Sequence, residues 1–343
     1  MRKLYQLCAC VLTLALLLSM GACSSTKPEE STPVVETSST PEPAPEQTAA
    51  VERGTISVAA LKGPTGMGMS FLMKANEDGG TEQDYDFTLS GAPDEVTAAF
   101  INGDLDIAAV PINLAAVLAA KTGNVKLLAV NTLGVLYILE NGDSVHALED
   151  LSGKTLLATG QGSTPEYILS YLLEKSGVAD SVEVQYLTEH SELAALMASG
   201  SCTLGMLPEP NVTVVTTKNP DVHVAVDLTA AWDELVGTPL VQGCIIARAD
   251  LAESDPEAIE IFLDEYAQSV DEVNSDHAAA AELIAEYGIV ESAAIAEKAI
   301  ENCNIVCLTG DELRASADAM FQVLFEANPK SIGGAVPGDE IYF

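Results

Sequence analysis

The pattern of apolar and polar positions over residues 95–120 predicts a helix, a buried strand and a second helix. Apolar side chains recur at helical spacing up to Gly103, which ends the first helix. Residues 105–110 then form a short apolar run, typical of a parallel strand covered by helices. Ligands of open α/β sheets bind at the carboxyl edge to which such a strand leads. The loop at that edge consists of Pro111, Ile112 and Asn113.

Strands and helices alternate along most of the remaining chain. Four strands of a first lobe are predicted, and residues 135–139 add a strand without an intervening helix. A second α/β series begins at Asp150. The predicted class is α/β, with two lobes that are each a mostly parallel sheet flanked by helices. The strands of the first lobe are expected at 55–61, 85–89, 105–110 and 125–131, and those of the second at 155–158, 182–187, 203–207 and 222–226.

The last part of the chain is expected to return to the first lobe. Residues 242–248 form an isolated apolar strand, predicted to pair with residues 135–139, and the sequence from Pro256 to about Glu326 has helical spacing. Lobe 1 would therefore be discontinuous, and its two crossovers would form a hinge. The expected limits are 54–147 and 240–343 for lobe 1, and 148–239 for lobe 2.

The N-terminus has the features of an export signal. Two basic residues precede an apolar run of residues 7–20, and small residues stand before Cys23, the pattern of a signal that ends at a lipid-modified cysteine. The run is too short for a spanning helix, which needs about 20 apolar residues. We expect a signal peptide over 1–22, a lipid on Cys23, and a disordered Ser/Thr/Pro/Glu-rich tether over 23–53. The protein would be held on the extracytoplasmic face of the cell membrane.

Composition excludes some classes of partner. Lysine and arginine total 15 against 51 aspartate and glutamate, which gives a net charge of −36. Such a chain repels a phosphate backbone, so nucleic acid is not expected. The acidic residues are interpreted as a solvated helix surface, and the protein is expected to be a monomer.

Two glycine-rich turns follow predicted strands. Residues 62–69 contain three glycines, which allow close approach of the backbone to a ligand, but neither GxGxxG nor a phosphate-loop signature is in register. In residues 159–165, Ser163 or Thr164 caps the next helix. Its free N–H groups would either bind an anion or polar oxygen or serve only as an ordinary helix start.

The sequence contains no recognisable catalytic or metal motif. The four histidines are scattered, without H-E-x-x-H, and Ser163 lacks a G-x-S-x-G frame. Cys303 and Cys307 are close enough for a local disulfide or for two free thiols. No metal, no cofactor and no enzymatic activity are expected.

Taken in order, several of these segments resemble a known family. The lipid-signal cysteine, the loop 62–70, the unit 103–108, the lobe entry 150–155 and the strand 243–246 with its helical tail are similar to solute-binding lipoproteins of ABC importers. The nearest group is the nitrate, sulfonate, taurine and thiamine-precursor type. The resemblance implies a periplasmic-binding-protein type II-like fold that closes on a small molecule and docks on a permease served by a separate ATPase.

By position, the resemblance also implies which loops line the cleft. No arginine falls in them, and the segment around Pro208 lacks the aromatic residue that family members often have there. We therefore expect a neutral or cationic, partly apolar ligand, with Glu209 facing a positive group. The implied ligand-binding residues are Thr65, Gly66, Met67, Gly68, Met69, Ser90, Gly91, Pro111, Ile112, Asn113, Asn131, Thr132, Gly162, Ser163, Thr164 and Glu209.

Two other functions stay open from the sequence. The same fold resembles a pyrimidine synthase of thiamine-precursor synthesis, although the cysteine-rich run of that enzyme family does not occur here. A ligand-presenting subunit of a membrane sensor is the other alternative, because docking faces cannot be identified from the sequence.

Overall fold

The computed structural model describes residues 54–343. The predicted signal peptide, the lipid site at Cys23 and the tether lie outside the described residues. Two mixed β-sheets are flanked by helices, which confirms the two-lobed α/β class. The strands are β1 (Ile56–Leu61), β2 (Tyr85–Ser90), β3 (Ile107–Pro111), β4 (Lys126–Thr132), β5 (Leu136–Asn141), β6 (Thr155–Thr159), β7 (Glu183–Leu187), β8 (Leu204–Pro208), β9 (Val222–Asp227), β10 (Gly243–Ala247) and β11 (Ile305–Leu308).

Helices cover both faces of these sheets. They are α1 (Pro64–Met67), α2 (Ser70–Glu77), α3 (Pro93–Asn102), α4 (Ile112–Thr122), α5 (Thr164–Lys175), α6 (His190–Ala198), α7 (Asn211–Lys218), α8 (Leu228–Val236), α9 (Ala249–Ser254), α10 (Pro256–Ser275), α11 (His277–Glu286), α12 (Ala293–Ala299) and α13 (Gly310–Ala327). Within residues 54–343, none of them is long and apolar enough to cross a bilayer. Short 3₁₀ helices occur at Leu148–Leu151, Ala179–Ser181, Ile300–Asn302, Pro329–Ile332 and Asp339–Ile341.

The first sheet has the order β11-β4-β10-β3-β1-β2, and the second has the order β7-β6-β8-β5-β9. In the first, β1 is parallel to β2 and β3, while β10 is antiparallel to both β3 and β4. In the second, β6 is parallel to β7 and β8, and β5 is antiparallel to β8 and β9. Each sheet is therefore mixed: β10 and β11 run against the other strands of the first sheet, and β5 runs against those of the second.

The predicted pairing of residues 135–139 with 242–248 is wrong. β5 lies in the second sheet, where Tyr137 is opposite Leu207. β10 instead lies between β3 and β4, with Gly243 opposite Pro111 on one side and Thr132 on the other. The chain leaves the first sheet directly after β4 and returns after α8. The exact domain limits stay a prediction.

The helical tail also contains a strand that the sequence analysis missed. β11 pairs with β4 through Ile305 and Leu308. Just before it, Asn304 has a φ of 44°, which turns the chain out of the preceding helix. At four residues, this strand is too short to show a period-2 pattern against its helical surroundings.

The predicted buried strand β3 is packed on both faces. Ala108 and Val110 belong to one hydrophobic core, whereas Ile107 and Ala109 belong to another. Alternate side chains of a strand point to opposite faces, so a continuous apolar run is what such a position requires. The core on the Val110 side continues into α5, α8 and α13, which joins the two lobes behind the cleft.

Candidate functional site

A cavity of about 510 Å³ lies between the two sheets. Its walls come from the carboxyl ends of strands in both lobes, such as Leu61 after β1, Pro111 at the end of β3 and Pro208 at the end of β8. This is the edge at which open α/β sheets place their ligands. The cavity therefore lies where the alternation of strands and helices predicts a site.

Half of the predicted ligand-binding residues line this cavity, and half do not. The lining includes the glycines, prolines and hydroxyl side chains at the strand ends. The residues that line it are Thr65, Gly91, Pro111, Thr132, Gly162, Ser163, Thr164 and Glu209. The residues placed elsewhere are Gly66, Met67, Gly68, Met69, Ser90, Ile112, Asn113 and Asn131.

The residues placed elsewhere have structural roles beneath the cavity. Met67, Met69 and Ile112 are fully buried in the hydrophobic cores. A Cβ at Gly66 would lie 2.6 Å from the carbonyl oxygen of Leu61, and one at Gly68 would lie 2.7 Å from the Tyr266 hydroxyl. These glycines thus allow close packing of α1 rather than access for a ligand. Ser90 donates to the Glu95 carboxylate over 2.6 Å at the start of α3.

Two buried polar side chains connect the lobes under the cavity. The hydroxyl of Thr164, at the start of α5, donates to Asn113 Oδ1 over 2.9 Å. Asn113, at the start of α4, in turn donates through Nδ2 to the Ser331 carbonyl over 3.4 Å. Ser163 is the N-cap residue of α5, but its side chain makes no capping hydrogen bond.

Glu209 lines the cavity, and its carboxylate is held by Thr213 in the helix that follows, α7. Glu209 is 2 % exposed. Both of its oxygens accept hydrogen bonds from Thr213, one from the backbone N–H at 3.1 Å and one from the hydroxyl at 3.0 Å. Burial raises the pKa of Glu209, and the Thr213 hydrogen bonds oppose this shift. The carboxylate therefore stabilises the start of α7, while contact with a ligand stays a prediction.

His190 is a cavity residue that the sequence analysis did not select. It opens α6, directly after the loop that follows β7, and its Nδ1 lies 2.6 Å from the buried Thr159 hydroxyl. Burial lowers the pKa of His190, an effect that Glu189 opposes, so the imidazole is neutral at neutral pH. The sequence feature that could have identified His190 is its position in the loop region after a predicted strand. His190 was not selected because the four histidines are scattered along the sequence and form no motif.

The charge at the cavity is sparse. Among the described residues that line it, Lys62 is the only lysine or arginine, and it is exposed. Asp94 and Glu189 are also exposed, at the rim. No group of three or more histidine, cysteine or acidic side chains within residues 54–343 is arranged to hold a metal ion. Neutral hydrogen-bonding groups thus dominate the interior.

Several solved structures are similar to this chain in fold. An ABC transporter protein from Parabacteroides distasonis is 21 % identical and superposes with a TM-score of 0.71, covering 84 % of this chain and 98 % of its own. The aliphatic sulphonate binding protein SsuA from Escherichia coli is 17 % identical, with a TM-score of 0.67 and coverage of 83 % and 97 %. The alkanesulfonate-binding protein SsuA from Xanthomonas axonopodis pv. citri, bound to MOPS, is 14 % identical, with a TM-score of 0.65 and coverage of 84 % and 96 %.

At these identities the likeness shows the fold, a periplasmic-binding-protein-like architecture with two lobes. No curated protein matches the sequence. The family model described as menaquinone biosynthesis matches residues 67–322, about three quarters of the chain. The match includes every strand of both sheets except β1, which precedes it. The chain therefore belongs to the menaquinone biosynthesis family.

Proposed function

We propose that this protein is an extracytoplasmic solute-binding lipoprotein of an ABC importer, which captures a small organic molecule between its lobes and delivers it to a membrane permease. The observation that carries the proposal is the cavity of about 510 Å³ with walls from both lobes. This volume is in the ordinary range for small-molecule sites, about 300–1,000 Å³. The likeness in fold to ABC-transporter proteins supports the same role.

The polar groups of the cavity suit binding without chemistry. Most are hydroxyls, amides and backbone groups at strand ends, and the one deeply buried carboxylate among them, that of Glu209, accepts two hydrogen bonds from Thr213. Groups of this kind orient a ligand through hydrogen bonds, and His190 is the one imidazole beside them in the described cavity lining.

Attachment to the membrane and delivery to the permease rest on the sequence. The short apolar run before Cys23 supports a lipid anchor on the outer face of the cell membrane, and the permease would act with a separate ATPase subunit. Replacing Cys23 with Ala should release the protein from membranes. Labelled lipid that remains on the Cys23→Ala variant would contradict the anchor.

The binding function is tested by thermal shift against a library of small organic molecules, followed by mass spectrometry of each hit. A ligand that binds only the folded protein stabilises it by about 2.7 kcal/mol at a hundredfold excess over Kd. We expect a hit to be recovered unchanged after long incubation with the protein. Steady conversion of the hit by clean protein would refute a binding function.

An enzyme of menaquinone biosynthesis is the second candidate, favoured by the family match and by His190. A neutral imidazole fixed through Nδ1 by Thr159 is a suitable general base if its Nε2 reaches a ligand. His190→Gln keeps a hydrogen-bonding side chain and removes the base. If the protein is an enzyme, this variant should lose turnover by about 10²-fold or more while it still binds substrate. If the protein is a binding protein, wild type and variant should both leave the ligand intact.

A further inference from the structure

Gln242 lies where the chain returns to the first sheet, between the ends of β3 and β4. Its backbone N–H donates to the Thr132 carbonyl over 3.0 Å, and its own carbonyl accepts from Ile112 N over 3.0 Å. The main chain is thus fixed on both sides. These bonds use only the main chain, so within residues 54–343 they leave the carboxamide nitrogen of Gln242 unpaired.

This carboxamide lacks a partner for its nitrogen. Gln242 lines the cavity and is 8 % exposed, and within residues 54–343 its Nε2 is buried without a hydrogen bond. Buried donors in folded proteins are almost always satisfied, by protein or by a bound molecule. An unsatisfied donor at a cavity wall therefore indicates that its partner is a molecule that occupies the cavity.

Two hydroxyls beside Gln242 can only accept hydrogen bonds. The Thr65 hydroxyl donates to the Leu61 carbonyl over 3.0 Å, and the Thr132 hydroxyl donates to Asn131 Oδ1 over 3.2 Å. The orientation of Asn131 is set by its Nδ2, which donates to the Thr65 carbonyl over 3.4 Å. Since each hydroxyl has one proton, both present only lone pairs to the cavity.

Gly243 packs against both threonine side chains. A Cβ at this position would lie 2.6 Å from Asn131 Oδ1, 2.8 Å from Thr65 Cγ2 and 3.1 Å from Thr132 Cβ. Gln242 directly precedes Gly243, and Gln242, Thr65 and Thr132 all line the same cavity. These three side chains therefore supply one N–H donor and two hydroxyl acceptors to the cavity lining.

We propose that Gln242, Thr65 and Thr132 bind one end of the ligand, and that this end is a neutral group that both donates and accepts hydrogen bonds. A primary carboxamide, an alcohol and an amino-substituted heterocycle fit this description. A carboxylate or sulfonate only accepts, so its oxygens would face the lone pairs of both hydroxyls. Turning a hydroxyl toward the anion would break its bond to Leu61 or to Asn131. The inference rests on the proposed function, since it names the chemical class of the solute.

The test compares matched neutral and anionic probes by calorimetry with the full chain. The pairs are nicotinamide with nicotinate, benzamide with benzoate, and benzyl alcohol with benzoate. We expect the neutral member of at least one pair to bind at least tenfold more tightly than the anion. Gln242→Met should weaken that binding by about tenfold, since it removes the donor and keeps the volume. Gln268→Met, at an exposed glutamine of α10, should leave the Kd within twofold.

The melting temperature of the ligand-free protein separates a binding role from a structural one. Because Nε2 makes no bond within the described part of the protein, Gln242→Met should not lower this temperature. Tighter binding of the anions, or unchanged binding by Gln242→Met, would overturn the inference and leave solute binding intact. Conversion of a probe would instead refute the proposed function. Failure of every probe of both classes to bind would count against both.

Discussion

Gly134 is the position where a single methyl group should most directly disturb the connection between the lobes. It lies in the crossover from β4 to β5, and a Cβ there would be 2.0 Å from Thr229 Oγ1, 2.6 Å from Thr229 Cγ2 and 2.8 Å from Thr229 Cβ. Rotating the Thr229 side chain cannot remove the last contact, so α8 or the crossover must move. Inserting a methyl group into a packed site of this kind costs about 1–3 kcal/mol.

The partner of this clash provides an internal test. Thr229 Oγ1 is buried without a hydrogen bond among the described residues, so Thr229→Ala alone should change the free energy of unfolding by less than about 0.5 kcal/mol. In the double variant, the two shortest contacts are gone and only the one to Cβ remains. We expect Gly134→Ala with Thr229→Ala to recover at least about 1 kcal/mol relative to Gly134→Ala alone.

The assay is urea unfolding followed by tryptophan fluorescence. The chain has one tryptophan, Trp232, which is buried in α8 and donates to the Thr238 carbonyl over 2.9 Å, so its emission reports on the helix that must move. Gly80→Ala is the matched control, because the nearest atom to its Cβ would be at 3.4 Å. The steric argument would be refuted if Gly134→Ala had the same urea midpoint as Gly80→Ala. It would also be refuted if the double variant were no more stable than Gly134→Ala alone.

Two further predictions concern buried carboxylates. Glu140 accepts hydrogen bonds from the Ser144 and Val145 N–H groups at 2.9 Å. Burial alone would raise the pKa of Glu140, but these bonds and the one from the Ser144 hydroxyl lower it. The ionised carboxylate therefore stabilises the folded protein at neutral pH, and this stabilisation is lost as the pH falls. Glu140→Gln should therefore lower the free energy of unfolding by about 1.5–3 kcal/mol at pH 7. In urea unfolding, this difference from wild type should shrink below about pH 4, and a difference that does not change with pH would contradict the prediction. Glu209 has a raised pKa, so the wild type binds more protons when folded and loses stability as the pH rises above the ordinary range of a glutamate. Glu209→Gln should not lose stability in this way. Parallel plots of the free energy of unfolding against pH for wild type and variant, between pH 5 and 8, would contradict the raised pKa of Glu209.

The local features of the fold could be predicted from the sequence, and the long-range pairing could not. β3 and its loop were predictable because a short, continuous apolar run between two helices is typical of a buried strand, and the loop it delivers does reach the cavity at Pro111. The middle of residues 242–248 is also apolar and fits any central position in a sheet. Nothing local therefore distinguishes pairing with β5 from insertion between β3 and β4. This ambiguity also concealed Gln242, whose place at the cavity depends on that insertion.

The glycine-rich loop after β1 shows a second limit. A glycine next to a ligand and a glycine next to a neighbouring element have the same sequence signal, since both need a missing Cβ. Here Gly66 and Gly68 are packed against Leu61 and Tyr266, and the cavity wall is formed by Gly63 and Thr65 earlier in the loop. Only the three-dimensional path of α1 separates the two roles.

The groups that line the cavity differ in how well they suit ligand binding and catalysis. Catalysis requires groups that interact more strongly with the transition state than with the substrate, and an acid and a base with shifted pKa values are the usual means. His190 and Glu209 are shifted in opposite directions, as such a pair would be. Glu209, however, accepts two hydrogen bonds from Thr213, and moving it toward a substrate would break both. That leaves His190, which is partly exposed, as the candidate base among the described cavity residues, with Asp94 and Glu189 as the other, exposed carboxylates there. Turnover by wild type and by His190→Gln is therefore the measurement that separates catalysis from binding in this cavity.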